Sequence, residues 1–220
     1  MKNESIKVAP SILSADFSKM GVEVSGVTAD GADFIHCDVM DGVFVPNITF
    51  GIKMVADIKK CTNVPLDCHL MIVHPEKYVE KFAAAGADYI TVHYEACREN
   101  TVEVLKKIND CGVKCGVVIN PDTDAKEIKD IIPYCDMVVI MSVFPGFGGQ
   151  SFIENTLESV KYVRRIVDSL DKEILIEIDG GINEKTAKLA VSAGVDVLVA
   201  GNYVFSSADR AAAIRSLRNK

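Results

Sequence analysis

One unit recurs eight times along these 220 residues: a short run rich in Val and Ile, a turn, and a longer stretch with helical periodicity. That repetition leaves few ways to fold. The runs are Lys7–Ile12, Phe34–Val39, Leu66–Leu70, Tyr89–His93, Lys114–Ile119, Met137–Met141, Ile174–Ile178 and Val197–Ala200. They start at 7, 34, 66, 89, 114, 137, 174 and 197, so successive starts lie 23 to 37 residues apart. This is the span of one strand plus one crossover helix. Polar and apolar positions interleave with a period of about 3.6 in Glu76–Ala85, Thr101–Cys111, Asn155–Leu170 and Glu184–Ala193. The joints repeat as well. Ala85-Gly86-Ala87-Asp88, Cys111-Gly112-Val113-Lys114 and Ala193-Gly194-Val195-Asp196 share one form, with Asp30-Gly31-Ala32-Asp33 close to it. Glycine just past a helix end supplies the left-handed cap. No linker or low-complexity tract interrupts the series, which predicts one domain over residues 1–220.

Eight such units can close into a (β/α)8 barrel or open into a doubly wound sheet. The count of eight selects the barrel, as does the missing nucleotide-binding glycine fingerprint after the first strand. A barrel keeps its chemistry at the C-terminal ends of its strands.

Composition narrows the partners. The apolar runs are far shorter than the roughly 20 residues a membrane helix needs, and Met1-Lys2-Asn3-Glu4-Ser5 has no apolar signal core. The expectation is a cytoplasmic protein. A net charge of −7 argues against nucleic acid as a partner, yet it allows a small phosphorylated ligand held by local backbone N–H groups. Seven cysteines without a C-x-x-C motif read as reduced, mostly buried thiols.

Four side chains able to bind a metal stand at or near the downstream ends of three strands. His36 and Asp38 lie on the second, His69 on the third and Asp179 on the seventh. Side chains alternate along a strand, so His36 and Asp38 project from one face. Burying two carboxylates uncompensated is costly; a divalent cation removes that cost, and two imidazoles with two carboxylates can hold one. Such carboxylates can also move protons. Zinc, iron, manganese and cobalt all accept this donor set. Glu177, one inward step below Asp179, is placed to orient a ligand. His93, with Glu95, edges the site, and His74 before Pro75 reads as structural.

Glycine-rich segments follow the last three strands: Gly146, Phe147, Gly148 and Gly149 after the sixth, Gly180 and Gly181 after the seventh, Gly201 and Asn202 after the eighth. Glycines let backbone N–H groups approach an anion closely, and barrels favour phosphate at the loops after strands seven and eight. Met40, Met71 and Met141 at strand ends could line a site and exclude water without offering protons. Ser11 offers a hydroxyl for a substrate oxygen or caps the following turn. The loops 41–51 and 146–149 are candidate lids.

Together, these residues resemble the ribulose-phosphate 3-epimerase family. The stretches concerned are Ala9–Phe17, His36–Gly42 running through Phe44-Val45-Pro46-Asn47, Asp67–Met71, Pro145–Gln150 and Glu177–Gly181. The resemblance implies a single ribulose-phosphate-binding (β/α)8 barrel with one divalent metal, commonly zinc or iron, and likeness to proteins that form dimers or hexamers. It implies His36, Asp38, His69 and Asp179 as metal ligands and Asp38 and Asp179 as the acid–base pair. Substrate contacts would be Ser11, His36, His69, Gly146–Gly149, Gly180, Gly181, Gly201 and Asn202. The reaction implied is interconversion of ribulose 5-phosphate and xylulose 5-phosphate, a step of the pentose phosphate pathway. Cys68, where the family often has Val, is similar instead to allulose-6-phosphate 3-epimerase, which keeps a six-carbon ketose phosphate as an alternative. Gly201-Asn202-Tyr203, Phe144 and Ser142 are further departures. A lyase or decarboxylase on the same barrel would need a catalytic Lys, and Cys37, Val39 and Met40 leave none beside Asp38. A non-catalytic phosphosugar-binding barrel is the alternative of another class.

Overall fold

Eight strands carry the alternation: β1 (Lys7–Ala9), β2 (Ile35–Met40), β3 (Leu66–Met71), β4 (Tyr89–His93), β5 (Lys114–Ile119), β6 (Met137–Met141), β7 (Leu175–Asp179) and β8 (Val197–Val199). The computed structural model describes residues 6–218, so the polar N-terminal pentapeptide lies outside the described residues. The strands pair in parallel in the order β1-β8-β7-β6-β5-β4-β3-β2. The remaining seam, between β1 and β2, is held by backbone N–H groups. Asp33 donates to the Val8 carbonyl at 2.9 Å, and His36 donates to the Pro10 carbonyl at 3.1 Å. A bridge between Ser11 and His36 continues it. The result is a nearly closed barrel with helices between its strands, the predicted fold.

The first strand is shorter than its apolar run. It stops at Ala9 because Pro10 has no N–H to donate, and the chain turns into a 3-10 segment, Ile12–Ser14, with Ser11 as its N-cap. The helices are α1 (Met20–Ala29), α2 (Ile52–Ile58), α3 (Val79–Ala85), α4 (Tyr94–Cys97), α5 (Thr101–Asp110), α6 (Thr156–Val167), α7 (Glu184–Ala193), α8 (Asn202–Phe205) and α9 (Arg210–Leu217). The helix expected from Glu76 begins at Val79. Its first residues form a separate 3-10 turn, Pro75–Lys77, after His74 in a left-handed conformation. The fifth crossover departs more. Residues 120–136 contain Pro121 and Pro133 and form only the 3-10 turns Ala125–Ile128 and Ile132–Tyr134. Pro133 falls within the second of these turns and cannot donate a backbone N–H to it.

The repeated joints latch the N-terminal end of the barrel. Asp33, Asp88, Asp136 and Asp196 each immediately or closely precede an even-numbered strand. Each carboxylate accepts the backbone N–H of the preceding odd-numbered strand, from Val8, Leu66, Cys115 and Ile176, at 2.8, 2.8, 3.0 and 2.8 Å. Each also meets a cation: Arg218 at 2.6 Å, Lys59 at 2.5 Å, Lys114 at 3.5 Å and Arg164 at 2.5 Å. These pairs fasten the end away from the expected chemistry, consistent with a stability role at that face.

Alternation splits the core into two layers. Outward residues such as Cys37, Leu70, Ile90, Ile140 and Ile178 pack beneath the helices. Inside the barrel, Ala9, Val118, Val139, Met141, Val197 and Val199 form an apolar layer. Against it stand inward residues of β2, β3 and β7 that are polar. Among the described residues no helix is long and apolar enough to cross a membrane. All seven cysteines are free thiols.

Candidate active site

The register of β2 against β3 builds the site in layers. His36 lies opposite Asp67, Asp38 opposite His69 and Met40 opposite Met71. All six point inward, because they occupy every second position of their strands. Asp179, the last residue of β7, projects into the same space from three strand positions round the ring.

Four atoms converge there. His36 Nε2 lies 3.4 Å from Asp38 Oδ1 and 3.7 Å from Asp179 Oδ2. His69 Nδ1 lies 3.4 Å and 3.6 Å from the same two oxygens. Both nitrogens are fully buried and have no hydrogen-bond partner. A tetrahedron with bonds of about 2.1 Å has edges of about 3.4 Å, so the donor set matches the dimensions of a divalent-cation centre. The cluster can bind a metal ion, and its orphaned imidazole nitrogens are what such an ion would satisfy.

The electrostatics follow from the packing. For Asp38, burial opposes ionisation, but His36 and His69 beside it hold its carboxyl well below the usual range. For His36, burial opposes protonation and Asp38 and Asp67 outweigh it, so its pKa is raised. His69 is raised in the same sense, burial being overcome by Asp179 and Asp38. The site therefore concentrates charge that is balanced only internally. Ser11 Oγ donates to Asp38 Oδ2 at 2.5 Å, while it also accepts from the Leu13 N–H at 3.3 Å. Ser11 thus caps the turn, as one reading of it expected, and its hydroxyl also touches the Asp38 carboxylate at the cavity.

The partner behind His36 is Asp67, whose Oδ2 lies 2.6 Å from Nδ1. Glu177, the residue expected to orient a ligand, is 3.6 Å from that nitrogen and neither of its oxygens makes a hydrogen bond. Burial, reinforced by the Asp67 charge, pushes its carboxyl well above the ordinary value. Sequence reasoning passed over Asp67, although it sits two residues before His69 on the same face. His93 borders the cluster from behind: it is wholly buried, with Nε2 2.9 Å from His69 Nε2, and does not line the cavity. His74 is largely exposed beside Glu76, away from the cluster.

Above the cluster opens a cavity of about 270 Å³. Its lining includes Asp38, Asp179, Ser11, Met40, Met71 and Met141, together with Gly146, Phe147, Gly148, Gly149, Gly180, Gly181, Gly201 and Asn202. His36 and His69 do not reach it. Both are 0% exposed: His36 lies one inward step below Asp38, and His69, level with Asp38, has its ring stacked on His93. Ser14, one 3-10 turn after Ser11, lines the cavity as well and was not singled out from sequence. No Lys or Arg is among the lining residues described, so an anion here would depend on backbone N–H groups and hydroxyls. Two glycines are obligatory. Gly180 (φ 121°) would place a Cβ 2.5 Å from Val143 Cγ2, and Gly181 (φ 63°) one 2.6 Å from the Phe152 nitrogen. Gly201 caps α8, a single short turn whose first residue is Asn202.

The loop after β2 is anchored rather than loose. Asp41 accepts the N–H groups of Val43, Phe44 and Val73 at 2.8–2.9 Å, and Thr49 Oγ1 donates to the Asp38 carbonyl at 2.6 Å. On the opposite rim, Ser142 Oγ donates to the carbonyls of Asp179 and Gly180 at 3.0 and 2.7 Å. Cys68 faces the outer layer, away from the cavity.

A parallel barrel with two imidazoles and two carboxylates beneath a glycine-rimmed cavity defines a class: a barrel whose inward side chains could hold a metal ion beside a small cavity. Comparison with known proteins narrows it. Residues 7–205 match the profile of the Ribulose-phosphate 3 epimerase family. The ribulose-phosphate 3-epimerase of Bacillus subtilis (strain 168) is 49% identical over 216 residues, covering 97% of this chain and 98% of that protein. That of Synechocystis is 47% identical over 218 residues, covering 99% and 95%. A crystal structure of 3-hexulose-6-phosphate synthase superposes with a TM-score of 0.68 over 98% of both chains at 22% identity, a likeness of fold alone. The chain belongs to the ribulose-phosphate 3-epimerase family.

Proposed function

We propose that the chain interconverts D-ribulose 5-phosphate and D-xylulose 5-phosphate, with Asp38 and Asp179 as the two acid–base groups. The single observation that carries the mechanism is that both carboxylates reach one cavity from different strands while sharing the same two imidazoles. Inverting the carbon beside a ketone requires removal of a proton from one face and delivery to the other. Two carboxylates three strand positions apart on the ring suit that task. The names of relatives 45–49% identical over nearly the whole chain support the five-carbon substrate.

The mechanism divides among the residues. In one direction Asp38 starts as the carboxylate, takes the C3 proton and becomes the acid, while Asp179 starts protonated, delivers its proton to the opposite face of C3 and becomes the carboxylate; on return the roles exchange. Oδ1 of Asp38 faces the imidazoles and Oδ2 faces Ser11, so Oδ1 is the oxygen that would hold a cation and Oδ2 the one that handles the proton. An ionised carboxylate with a depressed pKa is a weak base for a C–H bond. A divalent ion held by His36, Asp38, His69 and Asp179 would supply positive charge against the oxyanion that develops as C3 loses its proton. Zn2+ suits this donor set, and Fe2+, Mn2+ or Co2+ can use the same ligands. Met40, Met71 and Met141 keep water from the reacting carbon. The phosphate lies at the backbone of Gly146–Gly149, Gly180, Gly181, Gly201 and Asn202.

Proton NMR in heavy water tests the reading. With the protein and ribulose 5-phosphate, the C3 proton signal should disappear as xylulose 5-phosphate accumulates. Binding without exchange would reduce the chain to a phosphosugar-binding barrel, and faster turnover of allulose 6-phosphate would reassign the substrate.

A further inference from the structure

The two imidazoles of the cluster present different nitrogens, and the reason lies behind them. His36 turns Nε2 to the centre and rests Nδ1 on the Asp67 carboxylate. His69 turns Nδ1 to the centre, and its Nε2 rests on another imidazole, His93, at 2.9 Å, with the two rings stacked and centroids 5.0 Å apart. Two nitrogens in contact cannot both donate and cannot both accept, so one ring must carry the hydrogen. The row continues. His93 Nδ1 lies 3.1 Å from Glu95 Oε2. The other oxygen, Glu95 Oε1, accepts the backbone N–H of Asn120 at 2.8 Å and the hydroxyl of Thr123. Both imidazoles are 0% exposed, and the Phe44 ring covers His93 with centroids 4.7 Å apart, so water does not supply an alternative partner.

We infer that Glu95 and His93 are positioning residues that fix the tautomer of His69. This rests on the cation reading above, and every hydrogen in the row then has a direction. The Asn120 N–H can only donate, which fixes Glu95 as acceptor on that side. The carboxylate, having no hydrogen, also accepts from His93, which therefore carries its hydrogen on Nδ1. His93 Nε2 is then a lone pair, and His69 must donate to it from Nε2. That leaves His69 Nδ1 as a lone pair aimed at the space between Asp38 and Asp179, the form a ligand needs. The lock is built by residues on β4 and the turn after it, and its far anchor is on the segment after β5. None of these touches the cavity.

Glu95→Gln tests it without emptying space. The Asn120 N–H and the Thr123 hydroxyl hold the amide oxygen of the introduced glutamine, which turns its NH2 toward His93 Nδ1. The row then reverses: His93 donates from Nε2, and His69 is left with a hydrogen on Nδ1, pointing at the cluster. Zn2+ affinity, measured on the full chain by competition with a chromophoric chelator, should fall about 10- to 100-fold. In the metal-free protein at alkaline pH, 15N–1H correlation spectra of the histidine rings should show the hydrogen on Nε2 of His69 in the parent and on Nδ1 in Glu95→Gln. Glu95→Asp, which retains a carboxylate, should keep the parental tautomers. Unchanged affinity and unchanged tautomers in Glu95→Gln would overturn the lock while leaving the cation reading intact. If the parent binds no Zn2+ or other divalent ion, the cation reading falls by itself. The ring spectra still decide the lock then: Nε2–H on His69 upholds it, and Nδ1–H overturns it.

Discussion

Asn47 Nδ2 donates to the carbonyl of Gly146 at 2.8 Å, joining two loops that are 99 residues apart in sequence. The first belongs to the segment after β2, whose Val45 packs with the cavity-lining Met40 and Met71, and the second to the glycine loop after β6, which lines the cavity itself. One hydrogen bond thus couples the loop after β2 to the proposed phosphate loop.

Removing that tie should weaken ligand binding more than chemistry. Asn47→Ala loses a bond worth about 0.5–1.5 kcal/mol net, so KM for the sugar phosphate should rise about two- to tenfold with kcat little changed. Steady-state kinetics check it, together with hydrogen exchange in both loops. No change in either measurement would mean the tie is incidental.

Ser11→Ala removes the only side-chain donor to Asp38 Oδ2 among the described contacts. Hydrogen bonds to charged groups are worth about 1.5–3 kcal/mol, which predicts a fall in kcat/KM of about ten- to hundredfold. The thermal midpoint should also fall by about 2–4 °C, because Ser11 caps the 3-10 turn through the Leu13 N–H. A loss below twofold would separate Ser11 from the chemistry.

Asp38→Asn and Asp179→Asn should each lower turnover by at least about 10² while the circular dichroism spectrum is kept. Chelation should abolish turnover in the parent, with recovery on adding Zn2+. A chelated sample free of metal by elemental analysis, yet fully active, would remove the cation from the mechanism.

Asp41 makes stability pH-dependent. Burial alone would raise its pKa, but the N–H groups of Val43, Val73 and Phe44 lower it below the ordinary 3.8. A depressed carboxylate adds stability that is complete above its unfolded pKa and is lost as pH falls through the lower folded value. Urea unfolding should therefore show Asp41→Asn less stable than the parent at pH 7, with the gap narrowing as pH drops below about 4. A gap independent of pH would assign the effect to packing.

Much of the barrel was legible because its signals are local. Alternation within β2, β3 and β7 puts His36, Asp38, His69 and Asp179 on the inward face, and strand ends place them near the mouth. The limits were local too. Pro10 shortened β1, although its apolar run continued to Ile12, and the fifth crossover formed only 3-10 turns.

What lay behind the inward residues was not legible. Asp67 and His93 look in sequence like any polar residue within an apolar run. Only the register of β2 on β3 sets Asp67 against His36, and only the pairing of β3 with β4 brings His93 to His69. Sequence alone determined which side chains face inward, because the pleat is a property of consecutive residues. The tertiary structure decided which nitrogen of each imidazole faces the carboxylates, because that depends on neighbours supplied by strands distant along the chain.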